Sequence, residues 1–210
     1  MTKKKLAAEV IERLKSEYPE VKCALIYEKP HELLIATRLS AQCTDKRVNL
    51  VTPALFARFP TIDAFANADV AEVEEYIKSC GLFHTKARDI VEMCRQLRDI
   101  YREIVPDSID ELVKLAGVGR KTANLVAGDL YGKPAVVCDT HVIRLSNKIG
   151  LAHGKNPAQL EKQLRAILPP TESLPLCHRL VLHGRLVCPA RSPKCHSCVL
   201  ADICEQAKSL

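Results

Sequence analysis

The chain has no tryptophan, only 4% aromatic residues, and no apolar run near the ~18 residues a membrane helix needs. A bilayer-spanning helix is therefore excluded. No secretory leader is expected either: Met1-Thr2-Lys3-Lys4-Lys5-Leu6 gives a basic start, but Glu9, Glu12 and Arg13 break any apolar segment behind it. The expected compartment is the cytoplasm, with no membrane partner. Solenoid-period repeats and low-complexity tracts are also lacking. With 47% apolar and 27% charged residues over 210 positions, the composition argues against disorder, collagen and coiled coil. It fits one large compact domain or two small ones. Strand patterning is almost absent. Ala135-Val136-Val137-Cys138 is the best candidate, too short and isolated to build a sheet, and it reads as a connecting segment.

Helical punctuation, in contrast, recurs throughout. Leu6, Val10, Ile11 and Leu14 form a stripe at helical spacing, and Pro30 suits a first turn before His31-Glu32-Leu33-Leu34-Ile35. Asp69 with Glu72, and Ser108 with Glu111, have capping-box spacing, and Gly81 is a natural stop. Ala87, Ile90, Val91, Cys94, Leu97 and Tyr101 continue the period, and Asn156-Pro157 opens a helix carrying Leu160, Leu164 and Ile167. The predicted fold class is all-α. Lys plus Arg total 31 against 25 for Asp plus Glu, a net charge of +6 that favours a polyanion, nucleic acid ahead of a membrane surface.

Residues 108–130 read as a short helix, a Gly117-Val118-Gly119 turn and a second helix, a helix-hairpin-helix pattern. Glycines let backbone amides approach an anion, and the second helix brings its positive N-terminus to the same place, which suits a DNA phosphate. A plain capped corner is the simpler alternative. Nucleotide motifs fail: Thr122 stands where the dinucleotide fingerprint needs glycine, and Gly119-Arg120-Lys121-Thr122 lacks phosphate-loop spacing. Lys121 sits where the helix end and Arg120 both disfavour an ammonium, so an amine nucleophile able to form a Schiff base is one reading and a phosphate-contacting lysine the other. Asp139, at a predicted helix start, is an N-cap or a carboxylate that takes a proton or stabilises positive charge on a sugar.

Ten cysteines in an unexported chain point away from disulfides. Cys23, Cys43, Cys80, Cys94, Cys138 and Cys177 are scattered and read as small buried hydrophobes. Cys188, Cys195, Cys198 and Cys204 fall within seventeen residues. Four such thiolates bind an iron–sulfur cluster or zinc, and spacings of six, two and five follow no common zinc finger, which puts iron–sulfur first. His178, His183 and His196 read as surface or packing residues. Arg185, Arg191 and Lys194 would make a ligated loop a basic prong for phosphates.

Leu39-Ser40-Ala41-Gln42-Cys43-Thr44-Asp45, the hairpin from Leu115 to Asn124, Val137-Cys138-Asp139-Thr140-His141 and the four-cysteine spacing together resemble the endonuclease III family of bifunctional base-excision glycosylases. The resemblance runs from about Leu6 to Cys204. It implies a helix-hairpin-helix glycosylase fold with two helical domains flanking a DNA cleft: a six-helix barrel over 23–133, and a second domain from 1–22 plus 134–210 holding a [4Fe-4S] cluster on Cys188, Cys195, Cys198 and Cys204. It further implies Lys121 as nucleophile and Asp139 as its carboxylate partner. Gln42 and Leu82 would fill the gap left by an extruded base. Gly117, Val118, Gly119, Arg120, His84, His141, Arg191 and Lys194 would contact DNA. The expected substrate is double-stranded DNA bearing oxidised or reduced pyrimidines or abasic sites, handled by a monomer in a bacterial cytoplasm at the nucleoid. Departures are mild: Leu-Ala-Gly replaces a frequent Leu-Pro-Gly, and Cys43 and Cys138 replace small or apolar residues. Related adenine glycosylases lack the hairpin lysine and carry a further C-terminal domain, so Lys121 and an end at Leu210 point away from them. A monofunctional glycosylase, and a non-catalytic hairpin module with a zinc tail, are the rival readings.

Overall fold

The computed structural model describes residues 1–209, and every regular element among the described residues is helical. None of these helices is long and apolar enough to cross a membrane. The chain forms two compact units, Cys23–Tyr131 and a second made of Met1–Lys22 with the segment from Gly132 onward. The first helix, α1 (Lys3–Glu17), belongs to the second unit; Thr2 caps it by accepting from the Lys5 N–H, and it buries Leu6, Ala7, Val10, Ile11 and Leu14. These are the stripe residues read from the sequence, with Ala7 added between them.

The contiguous unit holds α2 (Pro30–Leu39), α3 (Asp45–Arg58), α4 (Ile62–Ala66), α5 (Val70–Ile77), α6 (Phe83–Asp99), α7 (Ile109–Leu112) and α8 (Arg120–Tyr131). Pro30 occupies the first turn of α2, and Glu32 reaches back to the Glu28 and Lys29 amides at 2.7 and 3.1 Å, so the helix start is closed from inside. α6 packs on α2, α4 and α5 through Ala87, Ile90, Val91, Met93, Cys94 and Leu97. The two capping boxes expected from spacing do not close as written. Asp69 caps the Ala71 N–H at 3.0 Å, but Glu72 is drawn to Arg58 Nε at 2.6 Å. Ser108 makes no side-chain cap bond, and Glu111 is held by the Tyr101 hydroxyl and Lys114 Nζ at 2.8 and 2.6 Å. A cation within reach outcompetes a neutral amide for the same carboxylate.

In the other unit, Gly132 to Cys138 runs without regular structure and buries Ala135, Val136, Val137 and Cys138, the connecting segment the sequence implied. There follow α9 (Thr140–Ile149), α10 (Pro157–Ile167), capped by Asn156 on the Ala158 and Gln159 amides, and α11 (Ser173–Leu186). α1 packs on α10 and α11, and α9 crosses α11. That crossing is close: a Cβ on Gly184 would lie 2.7 Å from His141 Nδ1. The C-terminal loops return to α1, where Arg13 donates to the Val199 carbonyl at 2.9 Å and to the Asp202 carboxylate at 3.0 Å. Of the six scattered cysteines, Cys80, Cys94, Cys138 and Cys177 are buried, while Cys23 and Cys43 are half-buried.

Candidate functional site

The hairpin turn is built from its own unit's helices. Gly117 has φ +70°, and a Cβ there would lie 2.6 Å from Arg38 Nε and 2.8 Å from the Asp89 side chain, which pair with each other at 2.8 Å. Both the backbone angle and the room demand glycine. Gly119 is different, since nothing lies within 4 Å of its added Cβ and it opens outward. Val118 is buried, and its N–H donates to the Leu115 carbonyl at 3.1 Å. An anion at this turn would therefore meet Gly119 and the first-turn amides of α8, which have no intrahelical acceptor, rather than Val118. Arg120 and Lys121 open α8 and are exposed. Gly117→Ala is expected to cost about 2–4 kcal/mol, from the left-handed angle and the Arg38–Asp89 clash together, read as a lowered urea midpoint. Gly119→Ala should leave that midpoint in place.

Two further turns in this unit share an uncommon backbone. Gln42, between α2 and α3, has φ 55°, and Leu82, just before α6, has φ 49°. Both side chains point outward, and Leu82 is 56% exposed. His84 follows on the first turn of α6, exposed, with Nδ1 2.7 Å from Glu74 and its ring against Phe83. Behind these turns lies Lys86, fully buried, whose Nζ donates to the carbonyls of Leu39 and Cys80 at 2.7 and 2.8 Å. Burial pulls this ammonium below the ordinary lysine range, against the opposing pull of the Cys43 and Cys80 thiols. Burial, reinforced by the neighbouring Cys43, pushes the Cys80 thiol up. The sequence reading passed over Lys86. Its signal was available: Lys86, Ile90, Cys94 and Leu97 fall on one helical stripe, so a lysine stands at a core position.

In the second unit Asp139 is the N-cap of α9, accepting from the Val142 N–H at 2.7 Å. The simpler reading of this residue is thus realised, and it orients the carboxylate without consuming it. His141, half-buried on the same first turn, lies 3.0 Å from Arg144 through Nδ1.

Cys188, Cys195, Cys198 and Cys204 all line one cavity, closed by apolar groups including Leu145, Ile149, Val187 and Leu200. The thiols ring this space: among the described residues no three Cys, His, Asp or Glu side chains converge tightly enough for a single metal ion. The Leu200 N–H donates to Cys198 Sγ at 3.4 Å, and His183 Nε2 lies 3.3 Å from the same sulfur, its Nδ1 3.0 Å from the Tyr18 hydroxyl. His183 is therefore more than packing. Burial pushes the Cys188 and Cys198 thiols up, while Lys148 and Arg144 oppose it at Cys188. Cations and N–H donors around apolar-walled sulfurs suit an anionic thiolate-bound group. Arg191 and Lys194 stand exposed on the enclosing loop, which is pinned by the Lys194 N–H on the Val187 carbonyl at 2.9 Å.

The family model for HhH-GPD superfamily base excision DNA repair proteins matches residues 35–170. Endonuclease III of Synechocystis sp. is 44% identical over 209 residues, spanning 99% of this chain and 95% of that protein. Among solved structures, a non-covalent endonuclease III–DNA complex superposes with a TM-score of 0.93 at 40% identity, covering 100% of this chain and 98% of that one. A trapped endonuclease III–DNA covalent intermediate with an estranged adenine gives the same values. Identity of this extent over whole chains, on a fold that superposes end to end, leaves one assignment: the chain belongs to the endonuclease III family within the HhH-GPD superfamily of base excision DNA repair proteins.

Proposed function

We propose that this DNA glycosylase and lyase removes oxidised or reduced pyrimidines from duplex DNA with Lys121 as the nucleophile. The observation that carries the reading is the exposed Lys121 on the first turn of α8, immediately behind a glycine turn that opens outward at Gly119 where a helix N-terminus suits a phosphate. The damaged nucleotide rotates out of the stack, while Gln42 and Leu82 enter the gap and face the orphaned strand. The Lys121 amine attacks C1′ of the sugar; the C1′–N bond breaks and the base departs with the bonding pair, taking a proton. The attached nitrogen sheds a proton and its lone pair expels the ring oxygen O4′ from C1′; O4′ takes a proton, and the opened sugar is joined to Lys121 through a C1′=N Schiff base. Loss of a 2′ proton to a base expels the 3′ oxygen, which cuts the strand on the 3′ side of the lesion. Asp139 accepts the amine's proton or balances positive charge on the sugar. Gly119, Arg120, His84, His141, Arg191 and Lys194 hold phosphates and so set register rather than lesion choice.

Cys188, Cys195, Cys198 and Cys204 would hold a [4Fe-4S] cluster, whose chemistry here is to cross-link the loop that carries Arg191 and Lys194. A non-catalytic hairpin module is disfavoured by membership in an enzyme family. The test uses the purified chain. It should contain iron and acid-labile sulfide rather than zinc, incise a duplex with one oxidised pyrimidine, and become covalently attached to that DNA under borohydride. Incision without attachment would favour a monofunctional glycosylase followed by chemical cleavage, and neither would remove the enzymatic reading.

A further inference from the structure

We infer that Lys86 is a positioning residue, a buried tie that holds the Gln42 turn and the Leu82 turn at a fixed separation so that both side chains enter the duplex together. This rests on the insertion role proposed above for those two residues. Leu39 ends α2, and its carbonyl is one of the helix-terminal acceptors with no intrahelical donor. Cys80 ends the short helical turn Lys78–Cys80 and precedes Gly81, whose positive φ stops it. One ammonium bonds both oxygens, three residues before Gln42 and two before Leu82. The backbone N–H of Lys86 also donates to the Leu82 carbonyl at 3.0 Å, so a single residue grips the second turn twice.

Burying a lysine on carbonyls rather than a carboxylate is a costly way to fill a core position, and a leucine or methionine would occupy the space more cheaply. What the ammonium adds is directional donors to two separate loop ends. Both turns need that support. Non-glycine residues in the left-handed region cost about 1–2 kcal/mol each and persist only where their surroundings over-determine them. Cutting the tie leaves the apolar face of α6 intact and lets the strained turns relax.

The experiment compares Lys86→Met with the parent on two substrates. A duplex with an oxidised pyrimidine requires the stack to be opened and the gap filled. An abasic site in a single strand requires only the amine. The expected result is an excision rate on the duplex lowered about 10²-fold, with loss of the fluorescence rise from 2-aminopurine beside the lesion, and single-strand cleavage within about twofold of the parent. Equal losses on both substrates, or no loss on the duplex, overturn the proposal. Should the methionine variant lose its cooperative thermal transition, Lys86→Leu, which fills the core position without any donor, takes the same measurements under the same criteria. Gln42→Ala and Leu82→Ala separate the two ideas. If they leave duplex excision unchanged, the insertion reading fails whatever Lys86 does; if they impair it and Lys86→Met does not, only the tie fails.

Discussion

Lys121→Gln is expected to abolish the borohydride cross-link to lesion-containing DNA and to lower strand cleavage by about 10⁴-fold or more, the size of loss that removing a covalent nucleophile brings. Lys121 is exposed at the start of α8, so its replacement should leave stability within about 0.5 kcal/mol of the parent. DNA affinity should fall only by the share of one cation, because Arg120, Gly119 and the helix end remain. The measurement is a denaturing gel of the trapping reaction beside a binding titration on the same DNA. A cross-link that survives in the glutamine variant would place the nucleophile elsewhere. A variant that loses binding and chemistry together would reduce Lys121 to a phosphate contact.

Asp139→Asn is expected to separate the cap that Asp139 makes from the catalytic role proposed for it. Asparagine caps helices about as well as aspartate, so the bond from the Val142 N–H, 2.7 Å in the parent, survives and the thermal midpoint is unchanged. The negative charge does not survive. Excision should fall by roughly 10²–10⁴-fold, the range of a proton-transfer partner in the transition state. Asp139→Ala loses the cap as well and should add about 1 kcal/mol of destabilisation to the same catalytic defect. An asparagine variant as active as the parent would leave Asp139 with the cap as its whole role.

Much of this architecture was legible in the chain because helices announce their ends. Pro30, Asn156 with Pro157, and the α1 stripe all mark elements where the periodicity put them. Capping boxes were less legible. Glu72 and Glu111 have the right spacing, yet Arg58, Tyr101 and Lys114 reach them first, and such competition is decided by packing rather than by sequence distance. The glycine turn was readable as a turn, but the division of labour inside it was not. Gly117 is required because of an ion pair contributed by α2 and α6, residues remote in sequence, whereas Gly119 faces open space. The four-cysteine spacing pointed to thiols that the fold gathers around one cavity, while the His183 contact to Cys198 came only with the turn of α11 that buries it. Lys86 shows the commonest blind spot: a charge on an apolar stripe looks like noise until the carbonyls it serves are in view.

The split of one unit across both ends of the chain also governs the order in which the protein can be assembled during synthesis. Residues 23–131 are continuous and complete once Tyr131 has left the ribosome. Helix α1 emerges before them, yet α10, α11 and the loop that receives Arg13 emerge only after them. At ~5–20 residues per second its greasy side waits roughly ten to thirty seconds for a cover. The nascent chain therefore finishes the segment bearing residue 121 while its own N-terminus is still unhoused.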